Sequence, residues 1–168
     1  QTCALPIYGG DGNDTLAGGL NTDTLFGGLG NDQFIFDSAL GATNVDRVLD
    51  FGKVAGNTDT FVLDRAVFTT VNAGTVLTAA EFRSGAGVTT ANAAGQRILF
   101  NTTNGDLFFD PDGTGAAAPV RFATAASVPA VGAAPVIPAL ANNDFTLVGI
   151  PPVAPPAPVG NVKIGRAH

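Results

Sequence analysis

The 168-residue chain has no tryptophan and no methionine, and only one cysteine (Cys3), one histidine (His168) and one glutamate (Glu81). A single cysteine closes no internal disulfide, and a single terminal histidine leaves no basis for a Ser–His–Asp triad or a zinc centre. Charge is scarce at 13%, and 8 basic residues against 14 acidic ones leave a net charge of −6. That balance argues against a nucleic-acid partner and suits a chain that binds cations. Uncharged Ala123–Ala141 has the length of a membrane span, but Pro129, Pro135 and Pro138 interrupt it, so the sequence predicts a packed loop and no membrane span.

Glycine and aspartate are plentiful. There are 22 glycines, and every acid except Glu81 is an aspartate. Aspartate suits turns and cation sites, whereas glutamate suits helices. With 45% hydrophobic residues the chain can form a core. The composition predicts strands and turns rather than long helices.

The ends stand apart. The chain opens QTCALPI and closes IGRAH, and both resemble in-frame translations of inverted copies of one sequencing-library adapter. Residues 1–8 and 164–168 are therefore set aside from fold reasoning, which removes Cys3 and His168 from consideration.

Between Gly9 and Ile35 a nine-residue unit occurs three times: GGDGNDTLA (9–17), GGLNTDTLF (18–26) and GGLGNDQFI (27–35). Each unit has two leading glycines, an aspartate at the sixth place (Asp14, Asp23, Asp32) and an apolar residue at the eighth (Leu16, Leu25, Phe34). Only the second unit lacks the glycine at its fourth place, where Asn21 stands. Asparagine tolerates left-handed angles, so the turn is expected to survive. A flexible linker would have no reason to keep this register.

This G-G-x-G-x-D-x-U-x pattern resembles the RTX (hemolysin-type) calcium-binding repeat. The resemblance implies a parallel β-roll, in which six residues turn, three form a strand, and two units complete one coil. Residues 18 apart then stack, which places Asp14 beside Asp32. Parallel strands lie about 4.8 Å apart, and two carboxylates at that spacing repel by roughly 1 kcal/mol in water and more in a partly dry turn. A divalent cation reverses the sign. Calcium suits best, because it accepts six to eight oxygens in flexible geometry, while magnesium demands stricter octahedra and zinc prefers nitrogen or sulfur. The expected ligands are Asp14 and Asp32, with turn backbone from Gly10, Gly12, Gly27, Gly28, Leu29 and Gly30. Asp23 is expected to serve a further site with a downstream residue.

Downstream, DRVLDF (46–51) and DTFVLD (59–64) read as short strands around the turn GKVAGN. They resemble the end of the β-roll in serralysin-type and related exoproteins, where an Asp-x-x-x-Asp-Phe segment closes the roll. The resemblance implies that Asp46 and Asp50 hold a terminal ion; solvated strand-edge acids are the equal alternative. TAAEF suggests a short helix from Thr78. RILFNTTNGDLFF (97–109) reads as a hairpin, PVRFAT and DFTLVGI as further strands, and PPVAPPAPVG as a polyproline-type linker.

The expected fold is all-β: a short parallel β-roll (9–64) followed by an antiparallel β-rich, sandwich-like domain (65–150) and a linker (151–163). Other chemistries fail on spacing. DPDGTG at 110–115 lacks the EF-hand ligands, since its fifth and twelfth places are Thr114 and Arg121. GGLGNDQF lacks the Gly-Lys-Ser/Thr ending of a phosphate loop. The chain is expected to be non-catalytic. The family resemblance implies a calcium-gated folding and export module of a type I secreted, extracellular protein, with calcium and the type I secretion machinery as partners. The alternative is the C-terminal part of an extracellular enzyme (metalloprotease, lipase or polysaccharide-active) or an adhesin segment.

Overall fold

The computed structural model describes residues 6–54, 56–127 and 136–149. Cys3, His168, the 151–163 linker and the middle of the Ala123–Ala141 stretch lie outside them.

Each nonapeptide contributes one glycine turn and one short strand, and successive strands fall on opposite sides of the molecule. β1 (Pro6–Asp11) and β3 (Thr24–Leu29) lie in one sheet; β2 (Thr15–Ala17) and β4 (Gln33–Phe36) lie in the other. Both pairs are parallel. Ile7 aligns with Leu25 and Leu16 with Phe34, a stagger of 18 residues that makes two units one coil. Leu16, Leu25 and Phe34 are all buried, as the eighth-place pattern predicts. Pro6–Tyr8 extend the first strand, and the Tyr8 ring stacks on Phe26 with centroids 4.8 Å apart.

The roll continues beyond the glycine-rich units. β5 (Asp46–Val48) pairs parallel with β3. A small antiparallel hairpin of β6 (Lys53–Val54) and β7 (Asn57–Thr58) leads into β8 (Thr60–Asp64), which pairs parallel with β4. The remaining strands are β9 (Phe82–Gly85), β10 (Ile98–Asn101), β11 (Asp106–Phe109), β12 (Val120–Ala125) and β13 (Phe145–Val148). They extend the same two sheets, whose orders are β1-β3-β5-β12-β11-β10-β9 and β13-β8-β4-β2. β9–β10 is parallel, while β10–β11 and β11–β12 are antiparallel. The architecture is thus all-β, a parallel roll passing into a two-sheet, partly antiparallel body. Both sheets draw strands from either side of residue 64.

Phenylalanine joins these parts. Phe51 and Phe61 stack at 4.5 Å, Phe61 and Phe145 at 5.2 Å, and Phe36 meets Phe122 edge-on at 5.2 Å. All four rings of the Phe51–Phe61–Phe145 stack and Phe122 are fully or almost fully buried, each worth about 1.5–3 kcal/mol of transfer free energy. Edge and stacked pairs add specificity of orientation.

The RILF/DLFF hairpin forms with Ile98 opposite Phe109 and Phe100 opposite Leu107. Its first strand does not alternate: Leu99 and Asn101 are buried along with Ile98 and Phe100. The short helix expected from Thr78 does not form. Glu81 donates its N–H to the Thr78 carbonyl, closing one turn, and Phe82 then enters β9 beside Ile98. Tertiary pairing takes the next residues into the sheet before a helix can propagate. DPDGTG is a polar turn between β11 and β12, where Asp110 Oδ1 accepts from the N–H groups of Asp112 and Gly113. Among the described residues no helix is long and apolar enough to cross a membrane, which says nothing of β-barrels.

Candidate calcium site

The turns owe their shape to backbone that few residues adopt. The second and fourth places of each unit have positive φ, for instance +99° at Gly28 and +131° at Gly30. Asn21 fills the fourth place of the second unit at φ +87°, so the turn survives the substitution as expected. At Gly28 space matters as well as angle, because a Cβ there would overlap the Gly10 carbonyl oxygen of the neighbouring coil.

The aspartates form two columns. The Asp14 N–H donates to Asp32 Oδ1 at 2.9 Å, and the Asp32 N–H donates to Asp59 Oδ1 at 3.0 Å. On the opposite side of the roll the Asp23 N–H donates to Asp46 Oδ1 at 2.9 Å. Each carboxylate therefore caps the turn of the preceding coil. The asparagines beside them run the other way, each capping the turn of the following coil: Asn31 N–H donates to Asn13 Oδ1, and Thr58 N–H to Asn31 Oδ1, both at 2.8 Å.

Asp59 was not among the residues singled out from the sequence. Its signal was present, because NTDT at 57–60 repeats NTDT at 21–24. GATNVDRVL (41–49) and VAGNTDTFV (54–62) are worn units that keep the sixth-place aspartate and the buried eighth-place residue, Val48 or Phe61. Two insertions hide them, Phe36–Leu40 and Asp50–Lys53. They lengthen the stagger from 18 residues (Asp14 to Asp32) to 23 (Asp23 to Asp46) and then 27 (Asp32 to Asp59).

Asp50 lies in the second insertion. Its two oxygens accept the N–H groups of Gly27 (3.0 Å) and Gly28 (2.9 Å). The structure thus brings Asp14, Asp32, Asp59 and Asp50 to one flank of the roll and Asp23 with Asp46 to the other.

This arrangement has an electrostatic cost. Burial pushes the Asp46 carboxyl up to about 6; the Asp23 N–H pulls it back and the Asp23 charge raises it further. Burial likewise raises Asp59 to about 6 against the N–H groups of Gly52 and Asp32, with the Asp32 and Asp50 charges adding to it. Asp50 is raised by burial, opposed by the Gly27 and Gly28 N–H groups and reinforced by Asp32. Two further oxygens, Asp14 Oδ2 and Asp32 Oδ2, are shut off from solvent and accept no hydrogen bond. A buried carboxylate oxygen without a donor is costly.

These features suit a hard cation. The donors are all oxygen, the orphaned oxygens lack only a positive partner, and the leading glycines leave them room. A Cβ at Gly27 would overlap Asp32 Oδ2, and one at Gly9 would sit 2.8 Å from Asp14 Oδ2 and 2.6 Å from the Gly27 carbonyl oxygen. Among the described residues no three Asp, Glu, His or Cys side chains converge on one point. The fitting donor set is therefore carboxylates shared between coils together with turn carbonyls.

Residues 7–34 match the family model of the RTX calcium-binding nonapeptide repeat (4 copies). That stretch runs from within β1 to the first half of β4 and implies calcium binding for the turns between. The match ends before Asp46, Asp50 and Asp59. Neither the curated proteins nor the solved structures hold a match to the chain.

Proposed function

We propose that the chain is a non-catalytic, calcium-gated folding module of a protein exported by a type I secretion system. The observation that carries this reading is the pair of buried, donor-less oxygens, Asp14 Oδ2 and Asp32 Oδ2, in stacked glycine turns. Asp14, Asp32 and the carbonyls of Gly10, Gly12, Gly27, Gly28, Leu29 and Gly30 would hold calcium on one flank. Asp23 with Asp46 would serve the other. When bound, calcium supplies the positive charge that this oxygen set lacks.

The gating follows from the residues. Without a cation the like charges of each column oppose coil stacking, and ordering so many glycines costs backbone entropy. The roll then stays open, which suits passage through an export channel. Extracellular modules of this chemistry work at roughly 0.1–1 mM calcium, far above the free level of cytosol. Outside the cell the coils close, and ligand binding to the folded form makes folding hard to reverse. Because both sheets run from the roll into the later strands, closure of the coils also templates β12 and β13.

The test is far-ultraviolet circular dichroism of the full chain during a calcium titration. Strand signal should grow with calcium and vanish on chelation. A chain already fully folded in chelator, with no calcium response, would refute gating.

A further inference from the structure

We propose that the proline-rich segment 151–159 docks back on its own chain, in an apolar groove bounded by β11, β12 and the insertion that ends at Leu40. The segment itself lies outside the described residues; the groove and the point where the chain reaches it do not.

The groove has two lobes. The first, about 400 Å³, is walled by Leu40, Ala66, Val67, Phe109, Pro111 and Val120. The second, about 500 Å³, shares Leu40 and Val120 and adds Val45, Phe108 and Pro119. Leu40, Val67, Phe108 and Val120 are only half-buried, so apolar surface is left in contact with water. Concentrated apolar surface of this kind marks a binding face. Among the described residues Arg121 is the one charged residue of the lining, and Asp106 pairs with it at 3.2 Å. Leu40 closes the Phe36–Leu40 insertion, so the residues that break the nine-residue count build one wall of the groove.

The occupant follows from where the chain leaves the fold. The Val148 carbonyl at the end of β13 accepts from the Arg65 N–H at 3.1 Å, and Arg65 Nη1 donates to the Gly149 carbonyl at 3.0 Å. Arg65 is buried, and Ala66, the next residue, lines the first lobe. The departing chain is thus held one residue from the groove wall. Nη2 of the same guanidinium is buried without an acceptor, and a proline segment, poor in N–H groups, brings carbonyls with no partner of their own. The segment reads PPVAPPAPV, with five prolines and no charge. Such a sequence favours polyproline II at about 3.1 Å per residue, roughly 28 Å over nine residues. Because that conformation is set before docking, little entropy is lost on binding, and proline segments suit grooves walled by aromatic and apolar side chains. The tether also presents the segment at an effective concentration on the order of millimolar, which favours it over the same segment of a second copy.

The chain has no tryptophan, so Val153→Trp places a single reporter in the segment of the full-length protein. In saturating calcium its emission should be blue-shifted, and acrylamide should quench it several-fold less than in the same variant carrying Leu40→Lys. The shielding should not vary with protein concentration. A second measurement keeps the natural side chains: the methyl resonances of Leu40, Val67 and Val120 should shift when Pro151, Pro152, Pro155, Pro156 and Pro158 are all replaced by serine, a change that alters no described residue. Circular dichroism checks the fold of each variant; if Leu40→Lys does not fold, the serine variant takes its place in the tryptophan comparison. An exposed tryptophan together with unchanged methyl shifts overturns the proposal, and where the two readouts disagree the methyl shifts decide. Shielding that grows with protein concentration overturns it as well, since the occupant would then be a second copy.

Discussion

The Asp14 backbone N–H donates to the carboxylate of Asp32, 18 residues further along the chain, at 2.9 Å. One side chain thus fixes the stagger of two coils and holds its other oxygen, Oδ2, buried without a donor. Asp32 sits in the middle of its column, accepting from Asp14 and donating to Asp59, whereas Asp14 stands at the head of it.

That difference in position predicts a difference in response. Asp32→Ala should raise the calcium midpoint of folding more than Asp14→Ala. It removes a carboxylate oxygen and also strands the Asp14 N–H, a loss of about 1–3 kcal/mol. Calcium titrations of both variants by circular dichroism check this, and equal midpoints would contradict it.

Glycines of the same φ class should differ in cost. Gly10 and Gly28 both have positive φ, but a Cβ at Gly10 meets nothing within 4 Å, whereas at Gly28 it overlaps the Gly10 carbonyl oxygen. Gly10→Ala should cost about 1 kcal/mol from backbone strain alone, and Gly28→Ala at least about twice that. Urea unfolding in saturating calcium gives the comparison.

Phe61 joins the roll to the later strands by stacking between Phe51 and Phe145. Phe61→Ala should lose about 3–5 kcal/mol. Because its neighbours come from both parts of the chain, unfolding should remain a single transition at a lower urea midpoint. Separate transitions by two probes would show that the parts are independent.

Glu81 gives a pH dependence away from the calcium sites. Burial acts to raise its pKa, but hydrogen bonds from the Thr78 and Asn72 side chains and from both of their N–H groups outweigh it, holding the carboxyl below its ordinary 4.5. The folded value lies below the unfolded one, so this stabilisation is complete above about 4.5 and is lost as pH falls through the folded value. Glu81→Gln should cost roughly 1 kcal/mol at pH 7. The gap to wild type should close on acidification below 4.5; a constant gap across that range would be inconsistent with the assignment.

The worn units explain where reading the sequence stopped short. Units 9–35 announce themselves because glycine, aspartate and an apolar residue recur at a fixed nine, and their stagger, turn angles and buried face follow. In 41–49 and 54–62 the leading glycine pair is lost and insertions break the count, so Asp46 was reached only through a resemblance and Asp59 was passed over as part of a strand. The role of Asp50 was likewise hidden. Two glycine N–H groups converge on it only because β5 stacks on β3.

By itself the sequence determined the period of the roll, that Asp14 stacks with Asp32, and the oxygen-only chemistry of the site. These are local consequences of glycine's permitted angles and of strict spacing. Only the tertiary structure decided that Asp59 completes the first column and that the Asn57 amide reaches the Gly28 carbonyl. It also decided that the roll and the later strands share both sheets. Those relationships span 23 residues or more and depend on where phenylalanines bury, and spacing along the chain carries no record of which distant backbone will lie beside which carboxylate.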